Sequence, residues 1–220
     1  MISVPDRLTQ NIRQTIPDAR IKETSIPLCP GISLYLLNGD NMQRRFSVDE
    51  IQMIQKDVPY WSLCWASGQA LARYLLNNKY ICSGKKVFDF GAGSGIGAIA
   101  AALSGARAVT ALDIDESALE AVLANASLNQ VHIDTCRSMD EIQEYPDVII
   151  AADVLYDREN LSFAEMFLSR PCDTIFADSR VKSIDLHGYE KIAEITATTI
   201  PDLNEADEFN KVSIYKANVA

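Results

Sequence analysis

Residues 85–95 read Lys85-Lys86-Val87-Phe88-Asp89-Phe90-Gly91-Ala92-Gly93-Ser94-Gly95, a short apolar run that carries an acid and then breaks into three glycines. An apolar run with such an end predicts a buried strand, and the run from Ile96 to Leu103 predicts a helix. Glycine reaches positive φ and has no Cβ, so the loop can turn tightly while its backbone comes close to a ligand. The first N–H groups of the helix face the same spot. Strand, glycine loop and helix in this order open a sheet to an adenosine-bearing ligand.

Charge around the loop separates the possible ligands. Gly93-Ser94-Gly95-Ile96-Gly97-Ala98 satisfies the permissive Gly-x-Gly-x-x-Ala form of the dinucleotide fingerprint, so a dinucleotide stands as an alternative. A pyrophosphate, however, would be repelled by Asp89, whereas S-adenosylmethionine carries a cationic sulfonium and ammonium. The strand from Ala108 to Leu112 runs into Asp113, whose carboxylate can accept from both ribose hydroxyls. The chain has no Tyr-x-x-x-Lys pair of the kind that short-chain dehydrogenases use. Asp89, Gly91, Ala92, Gly93, Gly95 and Asp113 are therefore expected to line a site for S-adenosylmethionine, without a metal.

The 220 residues suit one domain with a full core. Twenty basic against thirty acidic side chains give a formal net charge of −10, which disfavours a nucleic-acid partner. The five cysteines, at 29, 64, 82, 136 and 172, include no Cys-x-x-Cys pair and predict reduced thiols, not disulfides or a zinc site. No apolar run approaches the ~20 residues of a membrane span, and the first residues lack a leader pattern, so a soluble cytoplasmic protein is expected.

From Lys86 onward strand-like runs alternate with helical patterns: Val87 to Phe90, Ala108 to Leu112, Val131 to Cys136, Val148 to Ala152 and Thr174 to Ala177. Such alternation predicts βαβ units and a parallel sheet. Leu119, Val122, Leu123 and Ala126 fall on one helical face, and Asp157 is a candidate cap for a helix running to about Leu168. The runs Ile195 to Ile200 and Val212 to Tyr215 predict an antiparallel pair at the sheet edge. The expected fold is thus α/β and Rossmann-like: a seven-stranded, mostly parallel sheet with helices on both faces and an antiparallel last strand. Residues 1–58 stand outside the alternation, with an Ile32 to Leu37 strand and a capping-box start at Ser47, and are expected to form a substrate-side extension. Residues 59–220 form the main domain.

Two stretches carry the chemistry. Both tryptophans, Trp61 and Trp65, lie with Tyr60 just before an amphipathic helix; such rings serve as core anchors, and they can also cover an adenosine or attract a sulfonium. Asp153 follows the fourth strand of the alternation, at the end where open α/β sheets bind ligands, in Ala152-Asp153-Val154-Leu155-Tyr156-Asp157. A carboxylate there suits an amine that arrives as an ammonium, with Asp153 aligning the acceptor and Tyr156 packing beside it. A helix cap is the plainer role for Asp153. For His132 and His187 a structural role is the expectation.

On Pro59-Tyr60-Trp61, Trp65, Gly68-Gln69-Ala70-Leu71, the glycine loop, Asp113-Ile114-Asp115 and Asp153-Val154-Leu155-Tyr156-Asp157, residues 59 to about 165 resemble the seven-stranded, family-16 protein lysine methyltransferases. The glycine loop is shared by class I methyltransferases in general; the tryptophan pair and Asp-x-x-Tyr are more specific. The resemblance implies a cofactor site lined by Trp65, the Gly91 to Gly95 loop, Asp113, Ile114 and Ala152. It also implies an acceptor lysine facing Asp153 and Tyr156, with Tyr60, Trp61 and Arg180 on the substrate side. S-adenosyl-L-homocysteine would be the product, and an electron transfer flavoprotein β-subunit the leading substrate. The match loosens at Asp178-Ser179-Arg180. A small amine, a ribosomal protein or a protein N-terminus remain alternative acceptors, and a non-catalytic binding module an alternative role.

Overall fold

The computed structural model describes residues 3–141, 144–155, 160–180 and 188–217. The chain begins with helix α1 (Val4–Ile12), a hairpin of strands β1 (Ile21–Ser25) and β2 (Ser33–Leu37), and helix α2 (Val48–Lys56). Ser47 caps α2 through the reciprocal bonds of a capping box with Glu50, as the spacing predicts. There follow α3 (Ala66–Asn77), β3 (Lys86–Phe90), α4 (Ile96–Leu103), β4 (Ala108–Leu112), α5 (Glu116–Leu128), β5 (Asp134–Cys136) and β6 (Val148–Ala152). Helix α6 (Leu161–Leu168) and strands β7 (Asp173–Asp178), β8 (Tyr189–Thr196) and β9 (Lys211–Ala217) complete it. The expected cap at Asp157 lies outside the described residues.

Strands β3 to β9 form one seven-stranded sheet in the order β5-β4-β3-β6-β7-β9-β8. The first five strands in that order are parallel, and β9 runs antiparallel to both of its neighbours. The last strand in sequence is therefore inside the sheet, and β8 takes the edge. Residues facing both ways along β6 are buried: Val148 and Ile150 meet the cluster under α3 and α4, while Ile149 and Ala151 meet Phe167 and Phe176. Burial on both faces is why these strands read as continuous apolar runs and not as alternation.

Three elements differ from the sequence expectation, each for a local reason. Residues 197–200 do not continue β8. Ile200 instead exchanges backbone hydrogen bonds of 2.8 and 2.9 Å with Cys64, and Gln69 donates to the Thr198 carbonyl at 2.5 Å. Leu123 on α5 is 48% exposed, because α5 buries two other faces. Val122 and Ala126 join the sheet cluster, and Ala118, Ala121 and Ala124 pack with α1.

Strand β5 starts three residues later than predicted because Val131 belongs to the end of α5. Gln130 takes a left-handed conformation (φ 57°), with Gln130 N–H bonded to Ser127 O at 3.1 Å and Val131 N–H to Ala126 O at 3.0 Å. Those two bonds make a Schellman motif, whose left-handed position is normally glycine. His132, just beyond, is exposed, with its imidazole 3.3 Å from Asp134. Since Gln130 carries a Cβ in a region that disfavours one, Gln130→Gly is expected to raise stability by about 0.5–1 kcal/mol despite the added freedom of the unfolded chain. The midpoint of urea unfolding at constant slope measures it; an unchanged or lowered midpoint would show that the left-handed residue carries no strain.

Candidate active site

The sheet order reverses at β3, so the crevice opens beside the carboxyl ends of β4, β3 and β6. Phe90 of β3 pairs with Leu112 on one side and Ala151 on the other, which brings the glycine loop, Asp113 and Asp153 to one edge of the sheet.

From sequence, Asp89 is expected to face the ligand. It lies instead beneath the loop, 3% exposed, and its carboxylate accepts the Ala98 N–H at 2.7 Å. It thus caps α4 from the preceding strand, supplying the partner that Gly95 at the helix start does not. A Cβ on Gly97 would meet this carboxylate at 2.8 Å, so helix and acid approach only because residue 97 is bare. Burial pushes the Asp89 carboxyl up to about 7, against the Ala98 hydrogen bond and with help from the charge of Asp113.

All three loop glycines have positive φ: 68° at Gly91, 51° at Gly93 and 80° at Gly95. Their surroundings separate them. A Cβ on Gly91 would meet Val154 at 2.9 Å and one on Gly95 would meet Val122 of α5 at 3.1 Å, whereas one on Gly93 would meet nothing within 4 Å. Packing inside the protein thus excludes side chains at the two outer glycines, while Gly93 leaves open space above its backbone. Ala92 is buried, and the Gly91 and Ala92 N–H groups share the Leu112 carbonyl at 2.9 and 3.0 Å. Asp113 accepts from the Gly93 N–H at 2.9 Å and from the Asp115 N–H at 3.0 Å, tying the loop to the end of β4. Ile114 beside it is 81% exposed.

Asp153 follows Ala152, the half-buried last residue of β6, and has a left-handed φ of 51°. Its N–H bonds to Ala177 O of β7 at 3.0 Å. Its Oδ1 accepts from Ser67 Oγ at 2.6 Å and Ser179 Oγ at 3.3 Å, bonds that join β6 to the first turn of α3 and the end of β7. A left-handed aspartate costs of order 1–3 kcal/mol and persists only where its surroundings determine it. Burial pushes this carboxyl up to about 6, opposed by the Ser67 hydrogen bond and aided by the nearby Asp178 charge. Ser67 and Ser179 were missed from sequence. No local pattern signals serines whose partner is 86 and 26 residues away. Tyr156 lies outside the described residues, as does His187.

The aromatic segment divides. Trp65 is half-buried, donates its indole N–H to Tyr60 O at 3.1 Å, and has its ring 5.8 Å from that of Tyr60, which is 46% exposed. Trp61, expected on the substrate side, is 3% exposed and packs with Leu8 and Ile12 of α1 and Ala118 and Ala121 of α5. Its neighbour Ser62 turns the chain with a bond to Pro59 O, which sends Trp61 inward while Tyr60 stays outside. Arg180 is held by Glu205 at 2.9 Å and lies over the Phe209 ring at 4.4 Å, so its guanidinium docks on the segment before β9. Among the described residues no group of three or more His, Cys, Asp or Glu side chains could hold a metal. All five cysteines are free and buried, and no described helix is long and apolar enough to cross a membrane.

Residues 69–157, from within α3 to beyond the end of β6, match the family model for ribosomal protein L11 methyltransferase (PrmA). Over 150 residues the chain is 39% identical to the electron transfer flavoprotein beta subunit lysine methyltransferase of Danio rerio, covering 67% of this chain and 57% of that one. Against the Homo sapiens protein of the same name it is 36% identical over 137 residues, covering 60% and 50%. The chain thus spans about half the length of these curated relatives. In structure it resembles a ribosomal protein L11 methylase from Lactobacillus delbrueckii subsp. bulgaricus, with a TM-score of 0.50 at 21% identity over 69% of this chain and 77% of that one. With a reversed seventh strand inside the sheet and a glycine loop at the switch point, the chain has the fold of the seven-stranded, class I methyltransferases, and the relatives it matches in sequence are methyltransferases.

Proposed function

We propose that this chain uses S-adenosylmethionine to methylate the ε-amine of a lysine on a protein substrate. The observation that carries this reading is the placement of Asp153, held in a left-handed conformation by Ser67 and Ser179, at the strand end beside a glycine loop with open space over Gly93. S-adenosylmethionine suits these residues: the bare backbone at Gly93 admits it, Asp113 ends β4 where ribose hydroxyls need an acceptor, and the half-buried Trp65 ring offers a face to a cation. When bound it supplies an electrophilic methyl group and leaves as S-adenosyl-L-homocysteine.

The chain's own residues orient the acceptor. Lysine has an unperturbed pKa near ~10.4 and arrives as an ammonium, which the ionised Asp153 attracts and aligns. A carboxyl near 6 is too weak a base to deprotonate that ammonium by itself. Burial of the amine lowers its pKa, so that the proton passes to water and leaves the lone pair directed at the methyl group. Tyr60 stands exposed at the mouth, and residues 1–58 serve as a substrate-side extension to the methyltransferase domain of 59–220. Asp57, after α2, is near enough for its charge to act on Asp115 beside the site. With a net charge of −10 the enzyme draws in a basic epitope. The names of the relatives make an electron transfer flavoprotein β-subunit the leading substrate; the family match over residues 69–157 favours a ribosomal protein as the second reading. Five buried free cysteines support a reducing compartment, the cytoplasm in this reading.

Calorimetry should show S-adenosyl-L-homocysteine binding with a Kd on the order of micromolar, without metal. Gly93→Leu should abolish it while the protein stays folded without urea, since ligand approach is blocked and the φ strain of about 1–2 kcal/mol only lowers the urea midpoint. NADH binding in place of S-adenosyl-L-homocysteine would overturn the cofactor.

Asp153→Asn keeps shape and loses charge. It is expected to leave S-adenosyl-L-homocysteine affinity within a few-fold and to lower methyl transfer by roughly a hundredfold, about 2.7 kcal/mol in the transition state. Because the carboxyl titrates near 6 and acts ionised, wild-type kcat/KM should fall as the pH drops through 6, and the Asn variant should lack that limb. Wild-type turnover by the variant would remove Asp153 from the reaction. Radiolabelled transfer into a lysate followed by mass spectrometry separates a flavoprotein lysine from a ribosomal one.

A further inference from the structure

Helix α5 carries two asparagines one turn apart, Asn125 and Asn129, and both reach the N-terminal hairpin. Asn129 accepts from the Ser33 N–H at 3.1 Å and donates to the Ser33 carbonyl at 2.7 Å. Asn125 accepts from the Tyr35 N–H at 2.7 Å. Ser33 and Tyr35 alternate along β2, so the two amides replace a third strand along the edge that β1 does not cover. Only Asn125 goes further. It is fully buried, and its Nδ2 donates at 2.9 Å to the carbonyl of Ser94, the residue between Gly93 and Gly95. An amide with its oxygen toward an N–H and its nitrogen toward a carbonyl fits this pair of partners in one orientation alone.

The loop it touches has little conformational preference of its own. Gly93 and Gly95 are free to take either sign of φ, so contacts from outside the loop select the conformer. Two such contacts come from one face of α5: Val122, whose Cα would lie 3.2 Å from a Cβ on Gly95, and Asn125 on the Ser94 carbonyl. Without the second, the Ser94–Gly95 peptide can turn its carbonyl elsewhere through ψ of Ser94 and φ of Gly95, which changes the path of the glycine loop into α4. Apparent affinity for a ligand falls by the fraction of molecules whose site is competent.

We infer that Asn125 is a positioning residue for the methyl donor, fixing the Ser94 peptide and so coupling donor affinity to the docking of the N-terminal hairpin on α5. The inference rests on the reading that the glycine loop binds S-adenosylmethionine, and adds that residues 33–37, outside the sheet, help set that affinity.

The test is calorimetric titration of S-adenosyl-L-homocysteine into the full chain as wild type, Asn125→Ala and Asn129→Ala, at a temperature where each is folded by circular dichroism. Asn129→Ala loosens the same hairpin without touching the loop, so it controls for stability. Asn125→Ala is expected to weaken binding at least tenfold and to raise the donor KM with kcat at saturating donor within about threefold, while Asn129→Ala stays within about threefold of wild type in affinity. Equal losses in both variants, or wild-type affinity in Asn125→Ala, would overturn the inference while leaving the donor site intact. Absence of binding to the wild type would bring down the donor site and the inference with it. Should Asn125→Ala not fold, hydrogen exchange on the wild type decides. S-adenosyl-L-homocysteine should slow exchange of the Tyr35 amide, held by Asn125, more than that of the Ser33 amide, held by Asn129; equal or absent protection at Tyr35 overturns the coupling.

Discussion

The contact on which the rest of the site depends is the one between Asp89 and the first turn of α4. A carboxylate that is 3% exposed accepts the Ala98 N–H and lies against a helix position where a Cβ would collide with it. This locks the end of β3 to the start of α4 across the loop, so the three intervening glycines close a fixed gap in left-handed conformations. Leaving an acid there costs desolvation, which shows in a carboxyl pushed up to about 7. The cost is tolerated because an uncapped helix start over the sheet would leave buried N–H groups without partners.

Acids end each of the three adjoining strands, and each is held differently. Asp89 points into the protein, Asp113 clasps the loop and the start of α5, and Asp153 is pulled toward α3 and β7. One residue type thus does three jobs: helix cap, loop clasp and oriented charge. What separates them is the partner each finds, since Ala98 N–H, Gly93 N–H and Ser67 O–H lie on three different elements. Trp61 and Trp65 pack on one hydrophobic cluster but differ in depth, Trp61 buried with α1 and α5 and Trp65 half-buried with its indole N–H on Tyr60 O.

The N-terminal segment joins this arrangement without joining the sheet. The edge of β2 that faces away from β1 would in isolation be exposed to pairing with other chains. Side-chain amides of α5 cover it, and Asn11 of α1 adds a 2.8 Å bond to Glu120 on the same helix. Helix α5 is therefore buried on two sides, against the sheet through Val122 and Ala126 and against α1 through Ala118 and Ala121. The many alanines of this helix follow from that position, because two neighbours pack close only against small side chains.

The sequence by itself determined the parallel core of the sheet, the glycine loop and the two strand ends that carry Asp113 and Asp153. Those features are local: apolar runs of strand length, glycines where φ must be positive, and acids directly after them, all legible within a dozen residues. It did not reveal where Val131 and residues 197–200 go, because a Schellman bond to Ala126 and a bridge to Cys64 compete there with strand pairing. Nor could it tell that Asp89 lies beneath the loop, that Trp61 faces inward, that Ser67 and Ser179 donate to Asp153, or that Asn125 donates to the Ser94 carbonyl. These were decided by tertiary structure alone, because burial and hydrogen-bond partnership are properties of residues brought together across the chain. The spacing of Ser67 from Asp153, or of Asn125 from Ser94 and Tyr35, has no periodicity that a sequence could show.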